Sequence, residues 1–552
     1  MAENFGQLQD YFDDPRYTFV VHNAQAEWKF CKAVGLRFPK QHFDTFLAAV
    51  MILHASAFNL VGGVYKHASL ASMMARHHLP FIASDEKDEI RDAILRNEHV
   101  EKFGMERVLE YCMGDAKAVL ALGSPVQKEF HRICGPYAER NLAEIYQPYS
   151  IAMAEASWRG LRLDQNNWER LTKVAPVYRR QRVGIMRQFG YDHDGEGIGG
   201  LGFQKMIRQI GLERDWKRTE KGHFSTQDIE LESFRDHPAI NAALEMKRFD
   251  SFMNQDLGLL MDRDGQVRCN IQVLKQHTTR NSTSGPNLMG LPGEMRPLFL
   301  PDDGCVFVHF DFSQQEPGIA GWISQDQALS ADFRHGDVYI NLGRRLGLIK
   351  VHSSEREIKA ARKLMKVLML AILYGKFIRS VALDLGILYQ QACTHMTNFH
   401  AAYADLFGWL KSYVSQSLER GWAENILGFR AGFNRQHGVN SGHLSRSCQN
   451  FPIQSSAAAC FQLTGVYLDD MGCDIRLPIH DAYFLNCPND RRIIADVRMK
   501  IMSATAMANG QLFPGLPTKR DIEVLTCFAK DGNEDSFDQW VAAVEAGTCH
   551  QN

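Results

Sequence analysis

The run VFVHFDFSQQE at residues 306–316 is nearly continuous in apolar side chains until Asp311, and a second acid, Glu316, follows five positions later. Such a short apolar run predicts a strand buried on both faces, with a lone carboxylate at its end. The pattern returns at residues 477–485, LPIHDAYFL, where Asp481 interrupts it. Between the two, RKLMKVLMLAILYG at residues 362–375 sets Arg362, Lys366, Leu370 and Tyr374 four apart. On an α-helix a step of four advances about 400°, so these side chains form one slowly drifting stripe, cations first and ring last. Nearer the start, residues 18–21 predict an apolar strand, while residues 48–54 and 108–121 carry helical patterns.

Two lone acids on buried strands suit a two-metal site. Two Mg²⁺ ions about 4 Å apart clamp the attacking and leaving oxygens of a phosphoryl transfer, and Mg²⁺ takes one or two carboxylates plus substrate phosphates rather than an all-protein cage. Asp311 and Asp481 are therefore candidate bridging ligands, although each alone reads more readily as a satisfied strand-end or turn aspartate. Arg362 and Lys366 can grip a triphosphate, the first bidentately and the second as a point charge, while Tyr374 offers a flat face to a base or sugar.

In order and spacing these segments resemble motifs A, B and C of the family A DNA polymerases, the bacterial DNA polymerase I and phage replicase type: DFSQQE at 311–316, R-x-x-x-K-x-x-x-L-x-x-x-Y-G at 362–375, and His480-Asp481. TTRNSTSGPNLMGLP at 278–292 and RSCQNFPIQ at 446–454 extend the match. The resemblance implies an α/β and α+β multidomain fold, a right-hand polymerase of palm, fingers and thumb preceded by a partial RNase H-like 3′–5′ exonuclease domain. It implies a DNA-directed DNA polymerase with Asp311 and Asp481 catalytic, and with these two and the Phe312 carbonyl as ligands to two Mg²⁺ ions, Mn²⁺ being a substitute. A primer 3′-OH would attack the α-phosphate of a dNTP and release pyrophosphate. Nucleotide contacts would fall to Gln314, Glu316, Arg362, Lys366, Leu370 and Tyr374, with Glu316 lying where a ribose 2′-OH would have to fit. Contacts to primer-template DNA would fall to Arg280, Asn287, Arg446, Asn450, Gln454 and His480. Of these, Arg280, Asn450 and Gln454 match positions facing the minor groove, where purine N3 and pyrimidine O2 are acceptors in every correct pair.

The sequence departs from the family pattern at four places. Ala482 follows Asp481 where a second acid is usual, Leu370 stands for Phe or Tyr, Tyr339 for a phosphate-contacting His, and Gly318 for an Arg. Retention of Asp311, Asp481, Arg362, Lys366 and Tyr374 favours an active enzyme over a silent polymerase-fold accessory protein, and Glu316 argues against a single-subunit RNA polymerase.

At 552 residues and 45% apolar content, the chain is long enough for several cores. The expected division is residues 1–135, a partial exonuclease-like domain; 141–267, the lead-in to the polymerase region and the thumb; 268–324, palm with motif A; 325–440, fingers with motif B; and 441–552, palm with motif C and the C-terminus. With 62 Lys and Arg against 64 Asp and Glu, the net charge of -2 gives no general affinity for DNA. Phosphate binding must come from local patches such as Lys217, Arg218 and Lys221 beside Trp216, or Arg356, Lys359 and Arg362. The twelve cysteines show no zinc spacing, no long apolar run is present and the start is acidic, so the expectation is a soluble, cytoplasmic protein of a bacterial cell or phage-infected host.

The first domain carries Val21-His22-Asn23 with Glu27, Phe43-Asp44-Thr45, and Tyr111-x-x-x-Asp115, which resemble the second and third motifs of the family's proofreading exonuclease. The first motif, Asp-x-Glu, is absent from the 22 residues that precede Asn23. The expectation is an exonuclease remnant in Asn23, Glu27, Tyr111 and Asp115 that does not proofread in this chain alone. A separate N-terminal fragment docking on the apolar edge at residues 18–21, or a processivity factor, is a candidate partner beside primer-template DNA and dNTPs, with no membrane involved.

Overall fold

The computed structural model of the chain describes residues 2–56, 63–80, 89–90, 93, 100–192, 198–433, 441–529 and 535–548. Segment 434–440, where the sequence reading turns from fingers to palm, lies outside the described residues.

The apolar run ending at Asp311 forms the strand Cys305–Phe312, buried along almost its whole length. It sits inside a four-stranded antiparallel sheet of order Asp474–Ile479, Ala482–Pro488, Cys305–Phe312, Arg520–Leu525. Continuous apolar sequence fits the inner strands, because helices take one face and side chains such as Phe307, Val308 and Phe310 fill the core on both. The edge strand Arg520–Leu525 instead carries Arg520, Asp521 and Glu523, charges that discourage further strand pairing. Asp474–Ile479 and Ala482–Pro488 are joined by the two-residue turn His480-Asp481, and His480 takes a left-handed φ of 54°.

The stripe at residues 362–375 lies on the helix Glu355–Leu373. A capping box starts it: the Ser354 side chain accepts from the Glu357 N–H and the Glu357 carboxylate accepts from Ser354. Met365, Leu368, Met369 and Ile372 are buried, which turns Arg362, Lys366 and Leu370 toward open space. Gly375 ends it at φ 67°, and a Cβ there would meet Arg446 Cγ at 2.8 Å, so this closing turn needs glycine for both its dihedral and its neighbour. Arg446 belongs to the long helix Ser441–Asp470, which also covers the sheet.

In the first part of the chain, Phe19–Val21 pairs in parallel with His42–Asp44. Helix Thr45–Ser56 is almost wholly buried, and helix Met105–Cys134 packs along it. The second helix overruns the expected end at residue 121 and passes through Pro125. Burial of Leu122, Val126 and Phe130 outweighs the hydrogen bond that proline cannot make. One apolar core runs from Leu47 to Val544, so this region shares its interior with the sheet. A second, smaller core, including Phe203, Trp216, Leu231 and Leu244, sits at the far ends of the paired helices Gln165–Gln188 and Pro238–Met253. Among the described residues no helix is long and apolar enough to cross a membrane.

Strand Arg430–Gly432 lies so close to helix Thr45–Ser56 that a Cβ on Gly432 would meet the Ala55 carbonyl oxygen at 2.2 Å. Gly432→Ala is expected to destabilise the protein by about 1–3 kcal/mol, because the clash is with backbone rather than a flexible side chain. An unchanged melting temperature would show that the two elements separate freely.

Candidate active site

A cleft of about 1220 Å³ opens at one end of the four-stranded sheet and is bounded on its far side by helix Glu355–Leu373. Asp311, next to last in its strand, lies directly across from Ala482 on one side and Asp521 on the other. Asp481 stands in the adjacent turn, where its carbonyl accepts the Phe312 N–H at 3.2 Å. Burial, and then the charge of Asp311, hold the Asp481 carboxyl above the ordinary carboxylate range, while Arg280 partly opposes them. Two carboxylates that repel one another in a partly desolvated corner are suited to a divalent cation, which removes the repulsion. Among the described residues no three His, Cys, Asp or Glu side chains converge on one point. The pair is thus an open donor set that fits Mg²⁺ completed by water and phosphate, and does not fit a closed structural metal.

Glu316 is only 9% exposed and holds two partners. Arg280 Nη2 donates to its Oε1 and the Tyr374 hydroxyl to its Oε2, both at 2.6 Å. Gln454 also hydrogen-bonds Tyr374, and burial followed by the Glu316 charge pushes the phenol's pKa up, so its proton stays on. Arg280 and Gln454, expected on DNA, thus share one network with Glu316 and Tyr374, expected on the nucleotide. His480 lines the same cleft, and burial and then Arg280 lower its pKa and keep it neutral.

On the opposite wall Arg362 Nε donates to Asp337 Oδ2 at 2.9 Å, and the guanidinium carbon stands 5.6 Å from the centre of the Tyr339 ring. Gln314, at a left-handed φ of 57°, donates to the same Asp337 oxygen at 3.1 Å and accepts from Val338 N–H at 2.8 Å. Lys366 and Leu370 line the cleft beside them. Tyr339 is buried, and burial, then Glu316 and Asp337, raise its pKa. Across the cleft, Lys519 Nζ is tied to the carbonyls of Phe333 and Gly336, and Asp521 Oδ2 accepts from Ser313 Oγ at 2.6 Å.

Other expected residues stand apart. Asn287 caps the turn Leu288–Gly290 and lines a separate hollow of about 840 Å³ against helix Pro238–Met253. Arg446 and Asn450 lie on helix Ser441–Asp470 outside the cleft, with the Arg446 guanidinium 4.8 Å from the Phe377 ring centre. Trp216 is buried with its indole N–H on Ser225, while Lys217 reaches toward Glu230 and Arg218 stacks 4.3 Å from the Phe224 ring centre. In the first part of the chain, Glu27 is pushed up by burial and then Asp44, while Asp115 and then Glu27 add to the burial that raises the Cys112 thiol. Asp115 and Tyr111 lie one helical turn apart on helix Met105–Cys134. Asp44 is spent on backbone: it accepts from Asn23 N–H at 3.0 Å and from Ala24 and Phe46 N–H at 2.9 Å.

The hairpin acid beside a sheet-end acid, facing a helix with its cations toward the cleft, defines a polymerase palm and fingers. A sequence model of DNA polymerase family A matches residues 203–513, and the chain belongs to that family. It is 24% identical over 513 residues to DNA polymerase I of Synechocystis sp., covering 86% of this chain and 50% of that one. It is 24% identical over 538 residues to DNA polymerase I of Chloroflexus aurantiacus, covering 90% and 54%, and 24% identical over 369 residues to the thermostable DNA polymerase I of Thermus aquaticus, covering 63% and 44%. The chain spans about half the length of these curated relatives. Among solved structures, the POL domain of Pol1 from M. smegmatis, in complex with DNA primer-template and dNTP, matches with a TM-score of 0.76 at 18% identity, over 96% of this chain and 89% of that one. The expected right-hand fold of palm, fingers and thumb is borne out.

Proposed function

We propose that the chain is a template-directed DNA polymerase that extends a primer 3′-OH with deoxynucleotides and releases pyrophosphate. The observation that carries this reading is the pairing of Asp311 and Asp481 at one end of a cleft whose opposite wall presents Arg362 and Lys366. The M. smegmatis protein binds primer-template and dNTP in a like fold, which supports the same partners here. Divalent cations, Mg²⁺ or Mn²⁺ held by Asp311, Asp481 and the Phe312 carbonyl, would supply charge neutralisation for the developing pyrophosphate and a more acidic 3′-OH. Arg362, its Nε anchored, offers its Nη edge to the triphosphate, and Lys366 adds a point charge. Glu316, fixed on both oxygens, closes the space beside the sugar. Residues 141–267 would serve as lead-in and thumb, 268–324 and 441–552 as palm, and 325–440 as fingers, in a cytoplasmic protein. Arg446, Asn450 and Asn287 would contact DNA outside the cleft, with Gln454 acting from the Glu316 network.

Residues 1–135 are the remnant of an exonuclease that does not trim primers in this chain alone. Glu27 and Asp115 make a poor two-metal site by themselves, since Asp44 is committed to backbone N–H groups. With Mg²⁺ and all four dNTPs, the purified chain is expected to extend a matched primer and to leave a mismatched one unshortened when dNTPs are withheld. Absence of extension would return the accessory-protein reading, and efficient shortening would show a complete exonuclease. Shortening only after addition of a separate exonuclease fragment would identify that fragment as the partner.

A further inference from the structure

We infer that Asp337 is a positioning residue for triphosphate binding: it aims the Arg362 guanidinium into the cleft. The inference rests on the polymerase reading for the identity of the ligand, a nucleoside triphosphate. Asp337 precedes helix Val338–Arg345, and its two oxygens do different work. Oδ1 accepts the N–H groups of Tyr339 and Ile340, both at 3.0 Å, an ordinary N-cap. Oδ2 accepts Arg362 Nε at 2.9 Å and Gln314 Nε2 at 3.1 Å, neither of which a cap requires.

The geometry has a consequence for Arg362. A free arginine side chain loses several rotamers when it grips an anion, and that cost lowers affinity. Here Nε is already bonded, and the Tyr339 ring lies beside the guanidinium plane. What remains is the Nη edge, the half of the fork that meets a phosphate bidentately. Gln314 completes the frame from the other side, because its carbonyl accepts Val338 N–H while its amide binds Asp337. The turn after Asp311, the start of helix Val338–Arg345 and helix Glu355–Leu373 are thereby joined through one carboxylate.

The test separates the two oxygens. Asp337→Ser keeps a hydroxyl that caps the helix but removes the anchor for Nε. The expected result is an unchanged melting temperature, a KM for dNTPs raised about tenfold and a kcat within about threefold of the parent, the loss typical of one charge-assisted hydrogen bond. In an Arg362→Ala background the same substitution is expected to change KM no further, because Asp337 acts through Arg362. An unchanged KM in the parent, or an equal loss in both backgrounds, would overturn the inference. Equilibrium binding of dATP to the same four proteins gives a readout that needs no turnover. Affinity lost on Asp337→Ser only when Arg362 is present, in a protein that fails to extend primers, would sink the polymerase reading and leave the role of Asp337 standing. No dependence of dATP binding on Asp337 would sink that role whatever the enzyme does.

Discussion

Asp481→Ala and Asp311→Ala are each expected to lower primer extension about a thousandfold or more, while affinity for primer-template stays within about threefold. The loss follows from removing one of two carboxylates that would hold the cations: several kcal/mol of transition-state charge stabilisation corresponds to about three powers of ten in rate. Structure should survive both changes. Asp481 joins the neighbouring strand through its main-chain carbonyl, which accepts the Phe312 N–H and is untouched by the substitution. Its carboxyl is held above the usual range by burial and by Asp311, so alanine relieves a repulsion rather than breaking a support. DNA affinity would rest on many phosphate contacts spread over the surface, and a carboxylate supplies none. Single-turnover extension beside equilibrium binding of the same labelled duplex checks both halves. Extension by both variants within tenfold of the parent would refute the assignment of the pair.

The legibility of this site from sequence is uneven, for reasons visible in particular residues. Asp311 and Asp481 stand out because each breaks an apolar run, and burial of the flanking residues is what makes such a run readable. The stripe on helix Glu355–Leu373 is legible because helical periodicity is local. Asp337 and Asp521 were not legible. Asp337 meets Arg362 across 25 residues and Asp521 meets Ser313 across 208, contacts created by helix packing and strand register that leave no trace in spacing. Arg280 shows what position in the chain leaves out. Its place in the chain matches a DNA-contacting position, but its guanidinium is paired with Glu316 in the folded protein. Asn287 likewise spends its side-chain oxygen on the Gly290 N–H of its own turn. Polar residues that read as ligands for a partner are often committed within the chain, and only the fold reveals the commitment.

Glu316→Ala is the second large effect: discrimination against ribonucleotides should fall about a hundredfold, the scale on which a pocket that is merely enlarged loses selectivity. Both oxygens of Glu316 are engaged, by Arg280 and by the Tyr374 hydroxyl, and the side chain is buried, so it would close the proposed sugar side of the cleft. Alanine removes the bulk and frees two donors, the guanidinium and the phenol, either of which can then donate to the oxygen of a ribose 2′-OH. Bulk and charge are separable. Glu316→Gln keeps the volume and an acceptor for Arg280, and its amide can donate to the Tyr374 oxygen, so it should preserve sugar selectivity while lowering kcat/KM for dNTPs. Paired measurements of kcat/KM for dATP and ATP on the parent and both variants decide the matter. Selectivity unchanged in the alanine variant would place the gate elsewhere. Selectivity lost equally in both variants would mean that the negative charge at Glu316, not its size, holds the ribose out.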